Sequence, residues 1–140
     1  MLAEVYRKMG DYEKVLPLNQ KALEIRENVF GPEHPSVAAS LNNLGGLYDY
    51  IEEYEKALPF IQRSFEMIER ELGPEHPDVA ASLNNLAGIY DNMGNYEKAL
   101  SLNQRALDIQ EKTLGPQHPD TVTTLNNLDR LYHKMGNYKK

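Results

Sequence analysis

Gly31-Pro32-Glu33-His34-Pro35 returns as Gly73-Pro74-Glu75-His76-Pro77 and again as Gly115-Pro116-Gln117-His118-Pro119, each time 42 residues on. A fixed period of this length constrains the fold more than any single residue does. A unit so short cannot enclose a core of its own, so neighbouring copies must stack and share one. The expected architecture is a solenoid, which presents surface for binding rather than a catalytic pocket. The copies align without gaps, and segments 31–72 and 73–114 agree at about 60% of positions. Eight of the nine tyrosines lie on two ladders of the same step. One is Tyr6, Tyr48, Tyr90 and Tyr132; the other is Tyr12, Tyr54, Tyr96 and Tyr138; Tyr50 stands outside both.

Each unit reads as two helices. Leu41, Leu44, Gly45, Tyr48 and Ile51 fall on one stripe of a 3.6-residue period, and Tyr54, Ala57, Leu58, Ile61, Phe65 and Ile68 fall on a second. Gly94 and Gly136 suit the left-handed residue that ends a first helix; Gly31, Gly73 and Gly115 suit the end of a second. Pro35, Pro77 and Pro119 stand where the next helix opens, since the N–H that proline lacks would have no partner there. Ser36, Asp78 and Asp120 add a polar or acidic first turn, which favours the helix dipole. The fold class expected is all-α, with repeats at 31–72 and 73–114 and partial repeats at 1–30 and 115–140. That makes about seven helices in one array, beginning with a partial first helix before Gly10. No polar cap is evident at either end, which reads as a fragment or as ends that find partners.

Two positions depart from the pattern. Glu52 stands where its equivalents are glycine, and a non-glycine left-handed residue costs about 1 kcal/mol, so a different turn or a longer helix is expected there. Asp129 stands where its equivalents are Gly45 and Ala87, a closely packed place, and is expected to face water if no second helix follows it. Pro17 and Pro59 lie inside second helices and are expected to bend them rather than break them.

The bulk properties narrow the function. The chain has no cysteine, which removes disulfides, thiolate zinc sites and cysteine nucleophiles. Its net charge of −6 argues against nucleic acid or an anionic membrane surface as the main partner. No run approaches the ~18 apolar residues of a membrane helix, and no signal peptide is evident. His34, His76 and His118 form a ladder, but equivalent residues two packed helices apart cannot share one metal ion. Capping or loop structure is the expected histidine role. No phosphate loop, acid–base pair or HExxH run appears. The expectation is therefore a cytoplasmic protein that is not an enzyme and takes no cofactor.

The run Leu-x-x-Leu-Gly/Ala-x-x-Tyr followed by Gly-x-Tyr-x-x-Ala resembles a tetratricopeptide repeat. Residues 73–114 carry it as Leu83, Leu86, Ala87, Tyr90, Gly94, Tyr96, Ala99 and Ala106. The usual unit is ~34 residues. The longer step here, with its Leu-Asn-Asn-Leu segment, resembles the repeats of kinesin light chain and similar bacterial proteins. The resemblance implies a right-handed superhelix of antiparallel helix pairs whose first helices line a concave groove for a peptide.

The resemblance implies that a second stripe beside the apolar one lines the groove. The stripe runs Asn42, Gly46, Asp49 and Tyr50; then Asn84, Gly88, Asp91 and Asn92; then Asn126, Arg130, His133 and Lys134, with Glu4, Arg7 and Lys8 from the partial repeat. An asparagine amide both donates and accepts, so it can hold an extended backbone without reading its side chains. The resemblance implies this role for Asn42, Asn84 and Asn126, and then for the adjacent Asn43, Asn85 and Asn127. The alternative is that these asparagines bond neighbouring helices. Asp49 and Asp91 place acid mid-stripe, with Arg7 at one end and Arg130 and Lys134 at the other. Ala39, Ala81 and Thr123 take places where a dicarboxylate clamp would need cations. The leading expectation is a scaffold for an extended peptide. Self-association to a homo-oligomer, or a regulatory segment beside a nucleotide-binding module, are the other readings.

Overall fold

The computed structural model describes the backbone of residues 2–136 and the side chains from residue 10 to residue 136. It contains α1 (Leu2–Phe30), α2 (Pro35–Tyr50), α3 (Tyr54–Leu72), α4 (Pro77–Asn92), α5 (Tyr96–Thr113) and α6 (Pro119–Lys134). No strand occurs among the described residues. The chain divides into two compact units, Met1–Met67 and Ile68–Lys140.

Helix limits follow local chemistry. Pro35, Pro77 and Pro119 open α2, α4 and α6, and the preceding histidine caps each helix. The Nδ1 atoms of His34, His76 and His118 accept the backbone N–H of Ser36, Asp78 and Asp120 at 3.0–3.1 Å. An Nδ1 that accepts is unprotonated, so these rings carry their hydrogen on Nε2. Gly31, Gly73 and Gly115 take the positive φ that closes the preceding helix.

Glu52 adopts the same left-handed turn as the glycines, with φ 65°. Its neighbours repeat the bonds around Gly94: Glu53 N–H to Tyr48 O at 2.8 Å matches Asn95 N–H to Tyr90 O at 2.9 Å. Turn geometry there is imposed by the flanking helices, against the local preference of glutamate.

The described residues form six helices, close to the about seven that the glycine pattern predicts. The partial first helix and the helix after it run together as α1, and Gly10 keeps ordinary helical backbone. Ten residues make fewer than three turns. Continuing the helix through Gly10 costs about 1 kcal/mol of propensity and retains the backbone bonds a turn would break. Helices α1 and α3 also continue through Pro17 and Pro59.

In unit 1, α1 packs against α2 and α2 against the front of α3. Val37, Leu41 and Leu44 from α2, Ala57, Ile61 and Phe65 from α3 and Leu23 from α1 form the core. Residue pairs 26–40, 20–48 and 12–50 show that α1 and α2 run antiparallel. Gly45 lets α2 approach α3: a Cβ there would lie 2.4 Å from Ile61 Cδ1. In unit 2, α4 packs on α5 and α5 on α6. Leu83, Leu86, Ala87, Ile89, Ala99, Ala106, Ile109 and Leu131 are sealed there. Each large apolar side chain so buried contributes about 1.5–3 kcal/mol.

Polar contacts repeat in register and fix how the helices meet. Gln20 donates to the Tyr48 hydroxyl in unit 1 as Gln104 does to Tyr132 in unit 2, both at 3.2 Å. Arg63 bridges Glu27 and the Pro32 carbonyl; Arg105 bridges Glu69 and the Pro74 carbonyl. These pairs are half-exposed, so their energy is small, about 1 kcal/mol or less each.

Candidate functional site

The stripe beside the core residues of α2, α4 and α6 is part exposed and part buried. In unit 1, Asn43 and Gly46 are exposed and Asn42 and Asp49 half-buried, while Tyr50 is exposed. Tyr50 packs on Tyr12 of α1, with ring centroids 4.9 Å apart and planes tilted by 36°. Together with Asp11, Val15 and Leu47 these rings line a cavity of about 250 Å³. Burial, and then the neighbouring Tyr50 hydroxyl, push the Tyr12 phenol above its ordinary pKa. Tyr54 is raised as well, by burial first and then by Glu52 and Asp49. The side chain of Arg7 lies outside the described residues.

In unit 2 the stripe is partly tied together. Asn84 Nδ2 donates to Thr124 Oγ1 at 2.7 Å, and Thr124 lies 2.6 Å from Gln110 Oε1. The Asn84 amide thus links α4 to α6, while its Oδ1 is buried without a protein partner. Asn85, Gly88 and Asn92 are exposed along α4, and Asn126 along α6. Asp91 is the centre of a charge cluster. Its carboxylate, with the side chain only 10% exposed, receives Lys134 Nζ at 2.8 Å and faces Arg130 at 3.7 Å. Arg130 also donates to Asn127 at 3.4 Å. The Lys134 ammonium lies 5.6 Å from the centre of the Tyr96 ring. The structure therefore brings Asp91, Arg130, Lys134 and Asn127 together, and turns Asn84 toward the neighbouring helix. The sequence placed these charges along a stripe; their pairing across helices was not visible in it.

The two helix glycines at adjacent positions are opposite in kind. Gly45 is closed in by Ile61, whereas a Cβ added at Gly46 or at Gly88 would meet nothing within 4 Å. Packing accounts for the first and not for the other two. That signal was available in the sequence as Gly46 and Gly88 on the outer stripe, but only the structure separates it from packing.

Among the described residues no three His, Cys, Asp or Glu side chains converge on a metal position, and no helix is long and apolar enough to cross a membrane. Asp129 faces water, with its side chain 76% exposed and beside His133.

Comparison with known proteins agrees with this geometry. The tetratricopeptide repeat profile matches residues 1–69, 52–112 and 83–140. A solved structure from Podosopora anserina, described as a kinesin light chain with nearly identical TPR-like repeats, superposes with a TM-score of 0.82 at 28% identity. The match covers 97% of this chain and 64% of that one. BtubC (BKLC) from P. vanneervenii superposes with a TM-score of 0.84 at 26% identity, covering 99% of this chain and 55% of that one. Nephrocystin-3 of Xenopus laevis is 46% identical over 55 residues, and that of Mus musculus 44%. The matched stretch is 34% of this chain and 4% of the length of either relative. The 42-residue register, the helix pairs and the profile match over the whole length lead to one conclusion: this chain belongs to the tetratricopeptide repeat family, of the kinesin-light-chain-like type, an all-α solenoid of antiparallel helix pairs.

Proposed function

We propose that the chain is a non-catalytic, cytoplasmic interaction module whose exposed first-helix faces each hold an extended peptide segment, α2 in unit 1 and α4 with α6 in unit 2. Tetratricopeptide solenoids generally mediate protein interactions and are typically not catalysts, which supports the scaffold part of this reading. Gly46 and Gly88 carry the rest. A glycine inside an exposed helix costs about 1 kcal/mol relative to alanine. Neither has a packing neighbour that would explain it. What a missing side chain supplies at such a place is room for another backbone to come close. Each lies one turn after the first asparagine of the Leu-Asn-Asn-Leu run, with Asn43 and Asn85 exposed beside it. Those amides offer a donor and an acceptor to a peptide group. In unit 1 the Tyr12–Tyr50 cavity has the size and lining for one aliphatic side chain of the ligand.

Selection of a displayed library of random peptides against the whole chain tests this. Clones should emerge that bind the parent and lose at least tenfold in affinity against Gly46→Leu with Gly88→Leu. Leucine is a good helix former and meets open space at both positions, so folding is retained. Clones that bind the double variant as tightly as the parent would contradict the reading.

A further inference from the structure

One seam of this molecule is covered in unit 2 and bare in unit 1. Helix α1 exposes Val15, Leu18, Ile25 and Val29, at 38%, 69%, 51% and 67%. With Ala22 between them they follow a three-then-four spacing, the single stripe a partner helix covers. Of their equivalents 84 residues on in α5, Ala99, Ala106 and Ile109 are sealed within unit 2, where α4 packs on α5, Leu102 is half-buried, and Thr113 at the helix end is exposed. Helix α6 shows the complementary state. Val122 and Leu125 are 43% and 42% exposed, although their equivalents Ala80 and Leu83 in α4 are fully buried.

We propose that α6 of one copy covers α1 of a second copy, repeating the α4–α5 pairing between molecules. The residues at the tightest point of the seam support this occupant. Gly45 faces Ile61 in unit 1, leaving no space for a Cβ. The register sets Ala87 against the shorter, polar Asn103 in unit 2. In the intermolecular pair it sets Asp129 against Asn19. A carboxylate there meets an amide able to donate to it, in place of an alkyl group. Lys14 adds a counter-charge. Its equivalent Lys98 reaches over the Tyr90 ring of α4 at 5.9 Å, which puts Lys14 over Tyr132, one turn from Asp129. A second α1 is a poorer occupant, since it would bring Lys14 and Lys21 along the seam edge against their own kind.

The pairing is heterologous, so each copy offers one α1 face and one α6 face. Sedimentation of the whole chain from micromolar to millimolar concentration should show a mass that rises beyond that of one chain. Leu18→Glu with Ile25→Glu removes the α1 face, and Leu125→Glu removes the α6 face. All three side chains are exposed, so helicity by circular dichroism should be unchanged. Each variant alone should remain monomeric, because a pair needs both faces. Mixed, they should form a one-to-one dimer through the two faces left intact. A parent chain monomeric throughout overturns the proposal. So does a Leu125→Glu variant that self-associates like the parent, which would mean that α1 pairs with α1.

Discussion

Unit 1 and unit 2 use the same helix register and fill it differently. In unit 1 the first helix carries Gly45, and Ile61 of the second helix occupies the space that a side chain would need. In unit 2 the same place carries Ala87, and the residue equivalent to Ile61 is Asn103, 4% exposed and with a buried Oδ1 that has no protein partner. The pair of residues changes together while the backbone arrangement stays. The junction of α1 with α2 and that of α5 with α6 differ in the same manner. Tyr12 packs at a tilt against Tyr50, whereas Tyr96 meets the Lys134 ammonium. A 42-residue repeat thus specifies where helices meet, and each contact is then solved locally by volume and charge.

The largest expected effects come from exchanging those solutions. Ile61→Asn should cost about 3–5 kcal/mol in urea unfolding, because it removes buried alkyl volume and buries an amide without a partner. Asn103→Ile alone overfills the space beside Ala87 and should cost about 1–3 kcal/mol. Adding Ala87→Gly should recover at least about 1 kcal/mol of that loss, a coupling read by a double-mutant cycle. If the two changes in unit 2 are additive, the two seams are not equivalent. Gly45→Ala belongs to the same test, with an expected cost of about 1–3 kcal/mol from the clash with Ile61.

The capping histidines should contribute alike in both units through the backbone bond they share, although His34 also stacks on Phe30 and His118 sits beside Asp120. His34→Ala and His118→Ala are each expected to lose about 1 kcal/mol in thermal unfolding, and the asparagine variants much less, because asparagine also accepts at a helix N-cap. Unequal losses would show that the units differ at their turns as well as at their seams. A smaller change of opposite sign is expected at the open glycines. Gly46→Ala and Gly88→Ala should stabilise the chain by about 0.5–1 kcal/mol each while weakening peptide binding. Lys134→Met should matter least for stability, about 1 kcal/mol or less, since its ion pair with Asp91 is partly open to water.

Much of the fold was legible in the sequence because it is written in local chemistry. Proline at the first helical position, histidine before it and glycine after the last turn mark helix limits without reference to anything distant. The apolar stripe through Leu41, Leu44 and Gly45 named core residues that the structure buries. The rest depends on neighbours far along the chain. Gly10 resembles a turn glycine, yet α1 continues through it. Glu52 resembles a helix residue, yet it takes the glycine turn. Asn84 and Thr124 are 40 residues apart, and nothing local says that they bond. The same holds for Asp91 with Lys134, whose charges read separately as features of an open stripe.

The claim that the first-helix faces hold a peptide backbone is tested most directly by amide chemical shifts of the nine glycines during titration with a selected peptide. The account predicts shifts concentrated at Gly46 and Gly88, with Asn43 and Asn85 side-chain amides moving alongside, and Gly31, Gly73 and Gly115 still. Saturating binding that moves the turn glycines and leaves Gly46 and Gly88 unchanged would contradict it.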